Sequence, residues 1–305
     1  MISRYFSASL SCLCLLALSI PAQEKKDKPD STAPRRLANP FYAMDTCTKR
    51  PYPKNDISPA AQLDMLKDLG YAGIAWTEEP VDDVKAAAGE AKKRGLKMFA
   101  IYCAAQVTPD GDLTHSPQLP EIVASLKGHD TVVWLHLGGK GPSFATLTGK
   151  EPLVKKLRAL SDAANTSGLR IAVYPHVGEW TARFGDAIEL ARIVNHAQFG
   201  VSFNLCHALA MGEEKRIPDL LGDAKGILFA VTINGADAGV DKPDWSRLIQ
   251  TLDKGSYDNG IVLGKLRQLG WTGPIGLQGY GIAGDRRANL AASMAAWKKL
   301  SVVSD

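Results

Sequence analysis

The sequence has few cysteines, no long apolar run after its first twenty residues and no excess of charge of one sign. Only Cys47, Cys103 and Cys206 lie beyond residue 22, and their odd number and wide spacing exclude a disulfide framework. A membrane-spanning helix needs about 20 consecutive apolar residues, and no stretch after Ile20 reaches that length. These absences predict a globular chain that builds its core without cross-links.

The amino terminus has the composition of a secretory signal. Arg4 precedes an apolar run from Phe6 to Ile20, which is followed by Pro21-Ala22. We therefore predict a signal peptide over residues 1–22 and a periplasmic or secreted mature protein, with no membrane insertion after signal cleavage. Residues 23–36 contain no aromatic residue and no apolar periodicity, so a disordered leader is predicted there.

The charge of the remaining chain is nearly balanced. Arg4 and the five basic residues of 23–36 account for six of the 36 Lys and Arg, which leaves 30 basic residues from Leu37 onward. Three of the 32 Asp and Glu also lie in 23–36, which leaves 29 acidic residues. Nucleic-acid binding requires a concentrated basic face, so this balance argues against a nucleic-acid partner.

From residue 39 onward, short apolar stretches alternate with amphipathic ones. The apolar stretches are continuous, as is typical of strands that are covered on both faces. They lie at 39–46, 71–77, 96–103, 131–138, 169–176, 198–204, 226–234 and 273–280. The amphipathic stretch at 59–70 has leucines at helical spacing and ends at Gly70, a residue that favours helix termination.

Eight strands with intervening helical stretches predict an α/β fold, a single (β/α)8 TIM barrel. The chain from residue 39 has about 265 residues, close to the ~250 that are typical of this barrel. A doubly wound open sheet is the alternative, although it would usually have fewer strands at this length. We find no internal repeat and no linker after Arg36, so one domain is predicted over 37–305.

Four predicted strands end in side chains that suit a polyol-binding pocket. The segments are Tyr174-Pro175-His176, Asn204-Leu205-Cys206-His207, Thr232-Ile233-Asn234 and Gln278. The carboxyl ends of the strands converge on one mouth of a parallel barrel, so these segments are expected to share one pocket. None of the four ends carries a carboxylate.

His176 and His207 are the predicted catalytic residues, because an imidazole near neutral pH can move a proton on or off a sugar carbon or oxygen. The alternative for each is a strand-end histidine that bonds a neighbouring loop. The nearest acids are Asp45, Glu78-Glu79 and Glu179. Glu179 has the best placement for a carboxylate base and is the third catalytic candidate.

Tyr174, Asn204 and Gln278 are expected to hold substrate hydroxyls through hydrogen bonds, the alternative being that they only fill the core. His136 ends the fourth strand and is a further substrate-binding candidate. The glycines at 138–139 suggest a loop that a ligand approaches closely.

Three aromatic residues, Trp76, Trp180 and Tyr280, lie at or just beyond predicted strand ends. Their rings suit the apolar faces of pyranose sugars, so we predict that they bind substrate. Aromatic residues also cap hydrophobic cores, and that alternative stays open for each of them.

These motifs resemble the xylose-isomerase-like barrel superfamily, which includes sugar isomerases, epimerases and family 2 AP endonucleases. The resemblance covers roughly 39–300 and rests on Tyr174 with His176, on Asn204 with His207, on 273–280 and on Gly-Tyr-x-Gly-Ile at 70–74. It implies a barrel that removes a proton next to a carbonyl carbon or epimerises through an enediol.

In that family a divalent metal is commonly held by acids or a histidine at the ends of strands five to eight. The matching positions here are Tyr174, Asn204, Thr232 or Asn234, and Gln278, and every one has lost its acid. Divalent cations prefer charged oxygen ligands, whereas an amide oxygen supplies only a dipole. We therefore predict no cofactor and no metal ligands, which leaves at most weak divalent-metal binding.

The favoured hypothesis is an exported sugar isomerase or epimerase that acts on a small-molecule carbohydrate without a tightly bound metal. Without a metal, the enediolate must be stabilised by hydrogen bonds alone. The alternative is therefore a non-catalytic carbohydrate-binding barrel derived from a metal-dependent isomerase. A DNA-repair nuclease is poorly supported, because it would need an acid-rich metal cluster and a basic face.

Overall fold

The computed structural model of the protein describes residue 1 and residues 37–49, 56–77 and 80–302. Residues 2–36 lie outside the described residues, and they include all of the predicted signal peptide except Met1 and the whole predicted leader. Glu78 and Glu79 also lie outside the described residues. No helix among the described residues is both long and apolar enough to cross a membrane.

Eight parallel strands close into a barrel, and one additional short strand pairs antiparallel with the end of a barrel strand. The strands are β1 Phe41–Met44, β2 Gly73–Thr77, β3 Lys97–Val107, β4 Leu113–His115, β5 Val132–Gly139, β6 Arg170–Val173, β7 Phe199–Asn204, β8 Leu228–Ile233 and β9 Ile275–Leu277. Their order is β2-β1-β9-β8-β7-β6-β5-β3, and pairing of β2 with β3 closes the ring. This closure excludes the open sheet and confirms the predicted (β/α)8 barrel.

Strand β3 is longer than predicted because it continues past the barrel and pairs with two neighbours. Its end is antiparallel to β4 and parallel to β5, up to the pair Val107 and Gly139. Gly139 has φ +91°, and a Cβ there would lie 2.2 Å from the Val107 carbonyl oxygen. The close approach of these two backbones therefore requires glycine at 139.

Most of the helices cover the outside of the barrel, and two short ones contribute to its mouth. They are α1 Pro59–Asp68, α2 Val81–Lys93, α3 Leu119–Ser125, α4 Pro152–Thr166, α5 Phe184–Val194, α6 Leu205–Ala210, α7 Ile217–Asp223, α8 Trp245–Leu248, α9 Gly260–Gln268 and α10 Arg286–Leu300. Gly70, just after α1, has φ +85°, which agrees with its predicted role at the helix end.

The strand side chains build two separate apolar layers. In β1, Phe41 and Ala43 pack outward against the helices, whereas Tyr42 and Met44 point into the barrel. The barrel interior is filled by large aromatic residues, with the rings of Tyr42 and Phe99 centred 5.0 Å apart. The barrel is thus a packed core, and a ligand can enter only at its mouth.

Candidate active site

A cavity of about 490 Å³ lies at the carboxyl ends of the barrel strands. This volume falls within the range of ~300–1,000 Å³ that is usual for small-molecule sites. The cavity is lined by Met44, Thr46, Thr77, Tyr102, Tyr174, His176, Val177, His207, Trp245, Ile249, Gln278 and Tyr280. Four of the predicted strand-end residues, Tyr174, His176, His207 and Gln278, therefore line one cavity.

The two predicted catalytic histidines lie side by side in the cavity wall. His176 follows β6, and His207 lies in α6, which begins directly where β7 ends. Because β6 and β7 are neighbours in the barrel, the two imidazole rings come within 4.2 Å, centre to centre. His207 is 5% exposed, and its ring meets the ring of Trp245 edge-on at 5.5 Å.

The backbone of Val177 contacts both imidazoles. Nδ1 of His176 lies 2.9 Å from the Val177 carbonyl oxygen. The Val177 N–H donates to Nδ1 of His207, with 3.4 Å between the nitrogens. Burial, together with repulsion from His176, holds the pKa of His207 well below its usual value, so this ring is neutral at physiological pH.

The floor of the cavity is a closed hydrogen-bond network. The Oε1 atom of Gln278 accepts bonds from Thr46 Oγ1 (2.9 Å) and from two backbone N–H groups. Asn204 donates to the Tyr174 hydroxyl and accepts from Cys206 Sγ at 3.1 Å. Asn204 therefore lies behind Tyr174 and does not line the cavity, which differs from its predicted direct contact with substrate.

The third strand-end segment also points away from the cavity. Thr232 is fully buried, and its hydroxyl donates to the Phe203 carbonyl oxygen at 3.4 Å. Asn234 donates to the carbonyl oxygens of Gly235 and Leu248, both at 2.7 Å. Leu248 ends α8, the short helix that begins at Trp245, so the second bond holds this helix and the segment shapes the cavity without lining it.

The donor atoms do not fit a tightly bound divalent metal. The Gln278 amide oxygen is already occupied by three donors, and the Asn204 oxygen by one. Burial raises the pKa of Tyr174, so its phenol stays protonated and uncharged. Across the described residues, no group of three or more His, Cys, Asp or Glu side chains is arranged to hold a metal ion.

Glu179 and His136 form a second polar pair that lies outside the cavity lining. Nδ1 of His136 is 3.8 Å from the Glu179 carboxylate, and the His136 ring stacks on Tyr102 at 4.7 Å. Glu179 fills the space over Gly138, where a Cβ would lie 2.3 Å from its Oε2 atom. Protein atoms therefore occupy the positions that a Cβ at Gly138 or Gly139 would take, which gives both glycines a packing role.

The three predicted aromatic residues have different environments. Tyr280 lines the cavity and is 52% exposed. Trp76 is buried in the layer between the barrel and the helices. Trp180 stacks on Phe144 at 4.4 Å and donates to the Pro142 carbonyl oxygen at 3.0 Å, so it stabilises the segment that follows β5. The structure thus gives Trp76 and Trp180 structural positions outside the cavity.

Several lining residues escaped the sequence analysis. Thr46 and Thr77 are the last residues of predicted strands, and Tyr102 lies next to the last residue of another. Their positions at strand ends could have identified all three. Trp245 is the first residue of the short helix α8, between β8 and α9, and has no comparable signal. Asp45, a candidate base, is instead buried, accepting bonds from Thr77 and pairing with Lys49 at 2.8 Å.

Comparison with known proteins agrees with this architecture. Residues 63–300 match the family described as xylose isomerase-like TIM barrel. No protein of curated function matches the chain in sequence.

Solved structures with a similar fold include sugar epimerases and a nuclease-type relative. The 3-keto-D-glucoside 4-epimerase YcjR from E. coli shares 14% identity over 86% of this chain and 99% of its own, with a TM-score of 0.64. The D-psicose 3-epimerase from Clostridium cellulolyticum H10 shares 12% identity over 85% and 97%, with a TM-score of 0.61. An AP endonuclease, family 2, from Brucella melitensis shares 19% over 83% and 97%, with a TM-score of 0.58. At these identities the similarity establishes the fold.

Proposed function

The chain belongs to the xylose isomerase-like TIM barrel family, and from this premise we propose that it is an exported sugar isomerase or epimerase. It acts on a carbohydrate by moving a proton at a carbon next to a carbonyl group, without a tightly bound metal. The observation that carries this proposal is the pair of imidazoles, 4.2 Å apart, in the wall of the barrel-mouth cavity.

The composition of the cavity supports an uncharged, unphosphorylated ligand. Its described lining contains no Lys, Arg, Asp or Glu, so it offers no charged partner for a phosphate group. Tyr102, Trp245 and Tyr280 supply aromatic surface for the C–H faces of a sugar ring. The Thr46 oxygen can still accept from a sugar hydroxyl, and the Gln278 amide nitrogen can donate its second hydrogen to one.

Catalysis in such a site depends on hydrogen bonds and on histidine. Removing a proton next to a carbonyl places negative charge on the carbonyl oxygen, and this charge must be stabilised in a site that excludes water. The imidazoles provide both a proton acceptor and N–H donors within one cavity wall. None of these steps requires a carboxylate at the four strand ends.

The alternative is a carbohydrate-binding barrel without catalysis. The observation in its favour is the closed hydrogen-bond network of Tyr174, Asn204 and Gln278, which leaves few free polar atoms on the cavity floor. A cavity floor of this kind is compatible with sugar binding through aromatic faces, whether or not catalysis follows.

Hydrogen–deuterium exchange at sugar carbons separates the two functions. The protein without its predicted signal peptide, residues 23–305, is incubated in deuterated water with free aldoses, ketoses and glycosides that carry a ring carbonyl. NMR then follows each C–H signal of the sugar. We expect exchange in at least one substrate, slowed ~10²–10⁴-fold by His176→Gln. His129→Gln is the matched control, because residue 129 precedes β5 and lies at the opposite end of the barrel.

Binding without exchange would establish the alternative instead. A thermal-shift screen with the same sugars then gives stabilisation by a saccharide while every C–H signal persists. If no sugar in the panel either exchanges or stabilises the protein, the carbohydrate proposal is wrong.

A further inference from the structure

The peptide groups of Val177 assign different chemical roles to the two histidines. We propose that His176 is the base and His207 the neutral hydrogen-bond donor of a proton transfer that takes place on one face of the substrate. In this arrangement Val177 holds the two imidazoles in complementary tautomers. The inference rests on the proposed function and specifies its chemistry.

The tautomer of His176 follows from its acceptor. A carbonyl oxygen can only accept a hydrogen bond, so Nδ1 of His176, 2.9 Å from the Val177 oxygen, must carry a hydrogen. In the neutral ring, Nε2 then has a free lone pair. The ring lines the cavity and its Nδ1 atom is engaged by Val177, so Nε2 is the nitrogen assigned to accept the substrate proton.

The tautomer of His207 is the opposite one. The Val177 N–H can only donate, so Nδ1 of His207 must accept and carries no hydrogen. The neutral ring then has its hydrogen on Nε2. Because burial and His176 lower the pKa of His207, this ring takes up a proton poorly and is suited to donating a hydrogen bond.

The reaction follows from these two nitrogen atoms. His176 Nε2 takes the proton from the carbon next to the carbonyl, and the electron pair of the broken C–H bond forms a carbon–carbon double bond. The carbonyl π pair moves to oxygen, and the resulting oxyanion accepts a hydrogen bond from His207 Nε2–H. The neighbouring hydroxyl then gives its proton to the oxyanion, while the His176 imidazolium returns its proton to the former carbonyl carbon.

His176 is the single proton carrier in this arrangement, and this determines the stereochemistry. One base on one side of the substrate removes the proton and returns it on the same face. If the proton returns to the carbon that it left, the starting sugar forms again. If it returns to the former carbonyl carbon, the carbonyl group moves to the neighbouring carbon. The expected product is therefore a carbonyl-shifted isomer, whereas an epimer at the first carbon would need a proton donor on the opposite face.

The tautomers can be measured without any substrate. In 15N-labelled protein at neutral pH, nitrogen shifts and two-bond couplings distinguish Nδ1–H from Nε2–H rings, with His176→Gln and His207→Gln used for assignment. We expect Nδ1–H for His176 and Nε2–H for His207. The reverse assignment would overturn the inference even if the protein proves to be a sugar isomerase, so its failure is distinct from failure of the proposed function.

Paired substitutions provide a second test through deuterium exchange. A glutamine amide can donate a hydrogen bond but cannot act as a base, so His207→Gln should exchange about tenfold or more faster than His207→Ala. His176→Gln and His176→Ala should be equally slow. The assigned roles would be contradicted if glutamine restored exchange relative to alanine at residue 176 and not at residue 207. An epimer as the sole product would also contradict them.

Discussion

Acidification should destabilise the fold through His136. The side chain of this residue is 15% exposed, and its Nδ1 atom has no hydrogen-bond partner among the described residues. Burial, followed by repulsion from His176, lowers the pKa of His136 to about 4. In the unfolded chain the imidazole has its ordinary value of about 6.5.

The sign of the effect follows from proton linkage. Between pH 6.5 and 4, the unfolded state binds a proton that the folded state does not, so folding loses stability as the pH falls through this window. For these two pKa values, the loss between pH 7.5 and 5 is about 2 kcal/mol. The Glu179 carboxylate, 3.8 Å from Nδ1 of His136, favours the protonated ring and so reduces this loss. We therefore expect the free energy of unfolding to fall by about 1 kcal/mol between pH 7.5 and 5 because of His136.

Urea unfolding of wild type and His136→Gln at pH 7.5 and 5 measures this contribution. The pH-dependent loss should be about 1 kcal/mol smaller in the variant, since glutamine does not titrate. Other groups, including His207, titrate in both proteins and cancel in the difference. Equal losses in wild type and His136→Gln would refute the argument that His136 is held neutral by burial.

Three further predictions concern packing, metal content and processing. Gly276→Ala should lose about 1–3 kcal/mol of unfolding free energy in urea titrations, because the new Cβ would lie 2.4 Å from the buried Tyr42 ring. Gly264 lies in α9, and a Cβ there would have no atom within 4 Å other than its chain neighbours and the backbone of its own helix. Gly264→Ala should therefore be neutral or slightly stabilising, and a similar loss there would contradict the packing argument. Protein purified without chelators should contain less than one divalent metal per chain by elemental analysis, and a stoichiometric metal that survives dialysis would contradict the donor argument. The exported protein should begin near Gln23 by amino-terminal sequencing, and an intact Met1 would disprove cleavage.

The barrel and part of its cavity could be predicted from the order of apolar and amphipathic segments. Continuous buried runs identify strands, and parallel strands in a closed barrel bring all their carboxyl ends to one mouth. For this reason Tyr174, His176, His207 and Gln278 were expected to meet, and they line one cavity.

The same continuous runs do not show which face each strand residue occupies. Side chains alternate between the two faces of a strand, so a shift of one residue exchanges inside and outside. Trp76 packs outward while its neighbour Thr77 lines the cavity, although the apolar run Gly-Ile-Ala-Trp favours neither phase. Trp245 reaches the cavity from the short helix α8, whose last residue, Leu248, accepts a hydrogen bond from Asn234.

The sequence by itself determined the fold, the end of the barrel that holds the cavity and the absence of acids from four strand ends. Tertiary structure alone decided how the remaining polar groups pair, because their partners are distant along the chain. Gln278 bonds Thr46 across 232 residues, and the Val177 amide meets His207 across 30. Such contacts depend on distances of a few ångströms between separate strands, which a pattern of residue types along one chain does not encode.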